Sequence, residues 1–145
     1  MENKSNTGND WVWVPHESED KPKSYKESVW AQNKKQPPIS ETNEIVIFHD
    51  AYPVTDNHRL YIPKFNRPHL LGLCMAEAYQ YGLDQVDNNK CDGFNIGLNV
   101  GECAGQSVFW PHVHYIPRKK DDQEPGAKGI RMVYPNDPFN PRNKE

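Results

Sequence analysis

Residues 105–118 read GQSVFWPHVHYIPR. The pattern from Gln106 to Ile116 predicts a β-strand, and on a strand the side chains at i and i+2 share a face. Trp110, His112 and His114 then point one way, and Pro111, Val113 and Tyr115 the other. Val113 and Tyr115 are good core residues, so the histidine face is expected to be the open one. Two imidazoles side by side on an open face can ligate a metal, or serve as nucleophile or acid–base group. Pro111 brings no backbone N–H to a ladder, which points to an edge or a local bulge there.

Upstream, NVGECAGQS (99–107) contains Gly101 and Gly105, which permit tight backbone geometry, and ends on two neutral donors, Gln106 and Ser107. Backbone N–H groups, an amide and a hydroxyl facing two histidines would cradle the oxygens of a phosphoryl group. No GK[ST] follows, so this is not a P-loop. GFNIGLNV (93–100) alternates as another strand, and DNNKCDG (87–93) before it is a polar turn. In RPHLLGLCMAEAYQYGLDQV (67–86), Pro68 suits a first helical turn. Leu70, Leu71, Cys74, Ala78 and Tyr81 fall near helical spacing, and Gly82 is expected to stop the helix.

EIVIFHD (44–50) is β-branched and aromatic, and HRLYIP (58–63) is a second apolar run. The turn residues Pro53, Asp56 and Asn57 between them predict an antiparallel hairpin. The order of elements places the chain in the α+β class, with an antiparallel sheet of about five strands and one principal helix. Residues 1–40 are polar and punctuated, and are expected to be an extension, partly ordered or wrapped on a domain spanning 41–145. Within it Trp11–Val14 is a candidate strand or arm. Ser24–Lys34 is a candidate helix with Ser24 as N-cap and Glu27 at the capping-box position, closed by Pro37 and Pro38. The tail is Pro- and charge-rich, with GIRMVY (129–134) as a short segment able to pair.

The 145 residues suit one domain, and a hydrophobic content of 35% leaves part of the chain outside the core. A net charge of −3 provides no general basic field for nucleic acid or an anionic membrane. Arg118, Lys119 and Lys120 form a small basic cluster, but Asp121 and Asp122 offset it. No apolar run reaches membrane-span length and MENKSNTGND lacks an apolar leader, so a cytoplasmic, soluble protein is expected. Cys74, Cys91 and Cys103 are odd in number and widely spaced, which gives neither a disulfide framework nor a metal knuckle. Cys74 is expected to be buried packing. Cys103, beside Glu102, is not expected to be an activated thiol. His49 and His69 are expected to be surface residues, His16 a solvated one, and Trp11, Trp13 and Trp30 to pin the extension to the body.

GQSVFWPHVHYIPR resembles the signature of the histidine triad superfamily of nucleotide hydrolases and transferases, which alternates three histidines with apolar residues after a Gly-Gln-Ser/Thr turn. FHDAYPVTDNHRLYIPK (48–64) is similar to that family's first conserved segment, and NVGECAGQS to its phosphate loop. PRKKDDQEPGAKGIRMVYP (117–135) is similar to the tail of bacterial diadenosine-polyphosphate-hydrolase-like members.

The resemblance implies roles. His112 is the nucleophile that attacks an α-phosphorus to form a nucleotidyl-histidine. His114 contacts phosphate oxygens, and His58 lies near the nucleophile or the phosphate. Asp50 holds ribose hydroxyls. Asn99, Gln106 and Ser107 contact phosphate or leaving group, and Ile47 and Phe48 sandwich the base. His112 must keep a lone pair on one ring nitrogen, so the other is expected to donate to a backbone carbonyl.

No metal or other cofactor is required by this scheme. The partners implied are a nucleotide substrate and a second copy of the chain, with no membrane and no nucleic acid. The departure is Trp110, which stands where the triad has its first histidine. Indole has one donor and no acceptor. It is left to buttress His112 or to offer a face to a substrate ring, and Trp110→His is expected to keep or raise activity. The implied function is nucleotide hydrolysis, of the dinucleoside polyphosphate or nucleotide phosphoramidate type. Two alternatives stay open: a nucleotidyltransferase or phosphorylase using the same intermediate, and a non-catalytic nucleotide-binding interaction protein.

Overall fold

The computed structural model describes residues 21–126 and 129–131. The readings made of Trp11–Val14, His16 and residues 132–135 lie outside the described residues. Five strands form a single sheet: β1 (Ser40–Glu41), β2 (Ile45–His49), β3 (Arg59–Pro63), β4 (Gly93–Gly97) and β5 (Val113–Arg118). Their order is β1-β2-β3-β5-β4, and every neighbouring pair is antiparallel. One long helix, α2 (Pro68–Asp87), connects β3 to β4, and a four-residue helix, α1 (Val29–Gln32), precedes the sheet. This is the expected α+β architecture, and its hairpin β2–β3 pairs Ile45 with Pro63 through His49 with Arg59.

The sheet buries both faces, which is why EIVIF reads as a continuous apolar run rather than an alternation. Ile45, Ile47, Tyr61, Val113 and Tyr115 meet Cys74 and Ala78 of α2 in one cluster. Val46, Phe48, Leu60, Ile62 and Trp110 form a second cluster, against which Tyr25 and Trp30 pack. The two clusters take alternate residues of β2 and β3, as the two-residue period of a strand requires. α2 covers one side, and residues ahead of the sheet contribute Tyr25 and Trp30 to the other.

Three local expectations change. Gly82 lies inside α2, whose end comes at Asp87. A Cβ on Gly82 would come within 2.5 to 2.6 Å of the Phe94 ring, so the residue is there to let β4 approach the helix. The helix expected over 24–34 is a single 3-10 turn, Tyr25–Glu27, followed by α1. Ser24 makes no side-chain cap; Ser28 does, accepting from the Ala31 N–H at 3.3 Å, and it is completely buried. The segment expected to pair near 129 begins with a 3-10 turn, Gly129–Arg131.

The fourth difference positions the site. β5 starts at Val113, not at Gln106. The β3–β5 register sets Tyr61 against Val113, so continuing it would set Pro63 against Pro111. Pro111 has no N–H to offer. The indole Nε1–H of Trp110 donates to the Pro63 carbonyl at 2.8 Å instead, satisfying the acceptor that the strand would have served.

Candidate active site

Trp110 and His112 are 4% and 7% exposed, so the expectation that Trp110, His112 and His114 share an open strand face is corrected. The first two precede the strand, and only His114 sits within β5, half-buried. Trp110 presents no face to solvent: its ring fills the second cluster. Its backbone does more at the site than its side chain. The Trp110 carbonyl accepts a hydrogen bond from His112 Nδ1 at 2.8 Å, as expected, and this puts the ring's lone pair on Nε2.

His114 packs edge-on to His112, with ring centroids 5.0 Å apart, and its Nδ1 lies 2.9 Å from Nε2 of His58. His58 is buried just ahead of β3, and the Val54 backbone N–H donates to its Nδ1 at 3.1 Å. That bond fixes the neutral His58 tautomer with its proton on Nε2. Asp50 Oδ2 stands 3.3 Å from the same Nε2 and 3.8 Å from His114 Nδ1. The other Asp50 oxygen accepts the Tyr52 N–H at 2.8 Å, and the Asp50 N–H meets the His58 carbonyl at 2.9 Å. The connection between β2 and β3 is thus folded around the side chains it delivers. Asp50, His58 and His114 place three ligand-type atoms within 4.8 Å of one another, the one such group among the described residues.

Electrostatics follow from burial. His58 is held below the ordinary imidazole value by loss of water, with Asp50 pulling the other way. His112 is depressed chiefly by burial, against the Trp110 carbonyl and Asp50. His114 is depressed by burial and then by His58, against Asp50. Burial thus favours the neutral form of each ring.

The glycine loop is tighter than its expected cradle. Gly101 and Gly105 both have φ of 95°, where other residues are strained. Gln106 is buried and spends its amide on the loop: Oε1 accepts the Gly101 N–H at 2.8 Å and Nε2 donates to the Val108 carbonyl at 3.1 Å. A buried amide must be satisfied, and the nearest groups are the loop's own. Asn99 Nδ2 reaches the Gly105 carbonyl at 3.4 Å, while Ser107 is exposed.

Phe48 lies on the Trp110 side, but Ile47 packs toward α2 with Tyr61 and Cys74, so the two cannot flank one base. Arg118 is taken by Asp122, at 2.8 and 3.0 Å, and by Asn95 at 2.8 Å, which removes it from the site. Cys103 is exposed, and Cys74 is buried with its thiol pushed up to about 12, first by burial and then by Glu77. His49 and His69 are exposed. Two contributors were not read as site residues, although Trp30 was expected to pin the extension and does pack on the body. Val54 acts through its backbone, and Trp30 packs edge-on to His112 with centroids 4.9 Å apart, an approach across 82 residues of chain that only the fold discloses.

Among the described residues no helix is long and apolar enough to cross a membrane. An uncharacterized HIT-like protein of Borreliella burgdorferi is 33% identical over 93 residues, covering 58% of this chain and 67% of that one. The adenylylsulfatase HINT3 of Arabidopsis thaliana is 32% identical over 80 residues, 50% of this chain and 41% of that longer protein. A zinc-bound histidine triad family protein from Mycobacterium smegmatis has a similar fold, with TM-score 0.58 and 27% identity over 64% of this chain and 73% of that one. The HIT domain family matches residues 31–121, well over half of the sequence, and the chain belongs to that family.

Proposed function

We propose that the chain is a nucleotide hydrolase that cleaves a nucleoside 5′-phosphoryl bond through a covalent nucleotidyl-histidine on His112. The observation that carries this is the bond from His112 Nδ1 to the Trp110 carbonyl, which aims the neutral imidazole's lone pair from Nε2. Nε2 attacks the innermost phosphorus, the bond to the leaving group breaks, and water then cleaves the N–P bond. Splitting one hard displacement in two is the advantage of such an intermediate. His114 and Ser107 serve as donors to phosphoryl oxygens, each such donor being worth roughly 3 kcal/mol in the transition state. We assign Asp50 to the ribose hydroxyls, as the resemblance implies; Phe48, assigned there to the base, is buried in the Trp110 cluster and is left out of that role. Gln106 and Asn99 act as braces of the glycine loop. In this reading Trp110 occupies the place of the triad's first histidine.

The adenylylsulfatase relative supports a nucleotidyl substrate, and dinucleoside polyphosphates or nucleotide phosphoramidates are the proposed class. No cofactor takes part. Asp50, His58 and His114 have the spacing for a divalent cation, but the Val54 N–H puts the His58 proton on Nε2, the atom a cation would need. Mixing the protein with diadenosine tetraphosphate and following AMP release tests the reading, with acid quenching to trap the modified histidine. His112→Ala is expected to abolish turnover while nucleotide binding stays within about tenfold, since one lost contact is worth roughly 1 kcal/mol. Unchanged turnover in that variant removes His112 from its role.

A further inference from the structure

His58 and His114 reach the site from neighbouring strands, and one residue on the far side of the sheet touches the neighbours of both. Arg59 and Tyr115 are cross-strand partners, adjacent to the pair Leu60 and His114. Strand alternation turns them to the α2 face, away from His114. Tyr81 of α2 meets them there together. Its ring packs edge-on to Tyr115 with centroids 5.1 Å apart, and the Arg59 guanidinium lies 4.0 Å from the centre of the same ring.

The Tyr81 hydroxyl reaches further. It accepts a hydrogen bond from Asn57 Nδ2 at 2.9 Å, while Asn57 Oδ1 accepts the Arg59 Nε–H at 2.9 Å. Asn57 stands immediately before His58 with φ of 72°, in the left-handed region, where a residue other than glycine needs holding. It belongs to the turn that the His58 N–H closes on the Thr55 carbonyl at 3.2 Å, and this turn presents the Val54 N–H to His58 Nδ1 at 3.1 Å. A shift at Asn57 therefore moves the donor that sets the His58 tautomer.

Resting on the hydrolase reading, we propose that Tyr81 is a positioning residue for the histidine pair. Through Asn57 it holds the β2–β3 turn where His58 points its Nε2 proton at His114 Nδ1, 2.9 Å away. Tyr81 lies across the sheet from His114, so it acts through these neighbours and not by contact with the reacting atoms.

Two substitutions separate this role from general packing. Tyr81→Phe keeps the ring on Tyr115 and Arg59 and removes only the acceptor for Asn57. Asn57→Gly keeps an easy left-handed backbone and removes both side-chain ties. The experiment records long-range proton–nitrogen spectra of the imidazoles of the full chain at pH 7.5, with kcat and KM for diadenosine tetraphosphate. In the unmodified protein His58 is expected to carry its proton on Nε2. In both variants its signals are expected to move toward the average of the two tautomers, while His112, set by the Trp110 carbonyl, keeps its pattern. For Tyr81→Phe, kcat is expected to fall about tenfold with KM within about twofold, part of the roughly 10²-fold that a misplacement of about 1 Å can cost. The double variant should lose no more than Asn57→Gly alone, since both cut the same tie.

Losses that multiply overturn the route through Asn57. Unchanged His58 signals, signals of all three histidines moving together, or a displaced tautomer with unchanged kcat each overturn the positioning role and leave the hydrolase reading standing. If the unmodified protein releases no AMP, the hydrolase reading fails, and the spectra alone decide whether Tyr81 sets the His58 tautomer.

Discussion

Trp110 shows how much one residue can hide. The sequence offered it only as a residue ahead of two histidines, with an indole that has one donor and no acceptor. Its role was not legible, because that role belongs to the groups around it: Val46, Phe48, Leu60 and Ile62 enclose the ring, and Pro63 takes its N–H. For Trp110→His the structure adds an expectation about stability. A smaller, more polar ring leaves a cavity and a poorly satisfied edge in an apolar cluster, at a cost of about 3 kcal/mol in unfolding free energy. Trp110→Phe removes the hydrogen bond with a smaller polar and volume change than histidine. It strands a buried carbonyl and is expected to cost about 1–3 kcal/mol, read from urea midpoints. A change of only a few tenths would show that the Pro63 contact is not holding the segment ahead of His112. The histidines themselves were readable from residue type and order. Their tautomers were not, since a backbone N–H at Val54 and a backbone carbonyl at Trp110 set them, and any residue could supply either group.

At the scale of elements, periodicity identified β2, β3, β4 and α2, because each carries an apolar pattern that matches its own repeat. It misplaced ends where a special contact overrides the pattern. Apolar residues run back to Val108, so the sequence extended β5 through a proline that cannot join the ladder. Gly82 looked like a helix stop because glycine is usual there, whereas its reason is the Phe94 ring lying against the helix backbone. Phe94 is itself held beside Tyr115 and Tyr79, at ring separations of 5.7 and 6.1 Å, so it has little room to give. Gly82→Ala therefore sets two effects against each other. Alanine gains about 1 kcal/mol of helix propensity over glycine, and overpacking costs about 1–3 kcal/mol. The clash is expected to win, with a net loss on the order of 1 kcal/mol by chemical denaturation. In a Phe94→Leu background the same substitution is expected to stabilise. A stabilising effect already in the unmodified protein would show that the ring moves aside freely and that Gly82 has no packing role.

For the whole molecule, the sheet with two buried faces makes the histidine cluster possible: α2 closes one side, and the Trp110 cluster with Tyr25 and Trp30 keeps water from the other. The same burial ties stability to pH. His58, His112 and His114 each have a folded-state value below 6.5, with desolvation as the first cause, while the unfolded chain titrates near the ordinary value. Below about pH 6.5 the unfolded state binds more protons than the folded one, so unfolding becomes easier as pH falls. Above it neither state binds these protons and their contribution is flat. Each histidine adds a slope of up to about 1.4 kcal/mol per pH unit in the acid window. Urea unfolding at pH 7.5, 6.5 and 5.5 should show little change over the first interval and a marked loss over the second. His58→Gln should reduce that loss by removing one of the three groups. Catalysis should follow the same window, since His112 keeps its Nε2 lone pair below pH 6.5, and the acid limb of kcat/KM should lie below the ordinary histidine value. If that limb and the stability loss both centred at or above pH 6.5, the histidines would not be desolvated in the folded protein, and the neutral network joining Val54, His58 and His114 would not be the state that binds substrate.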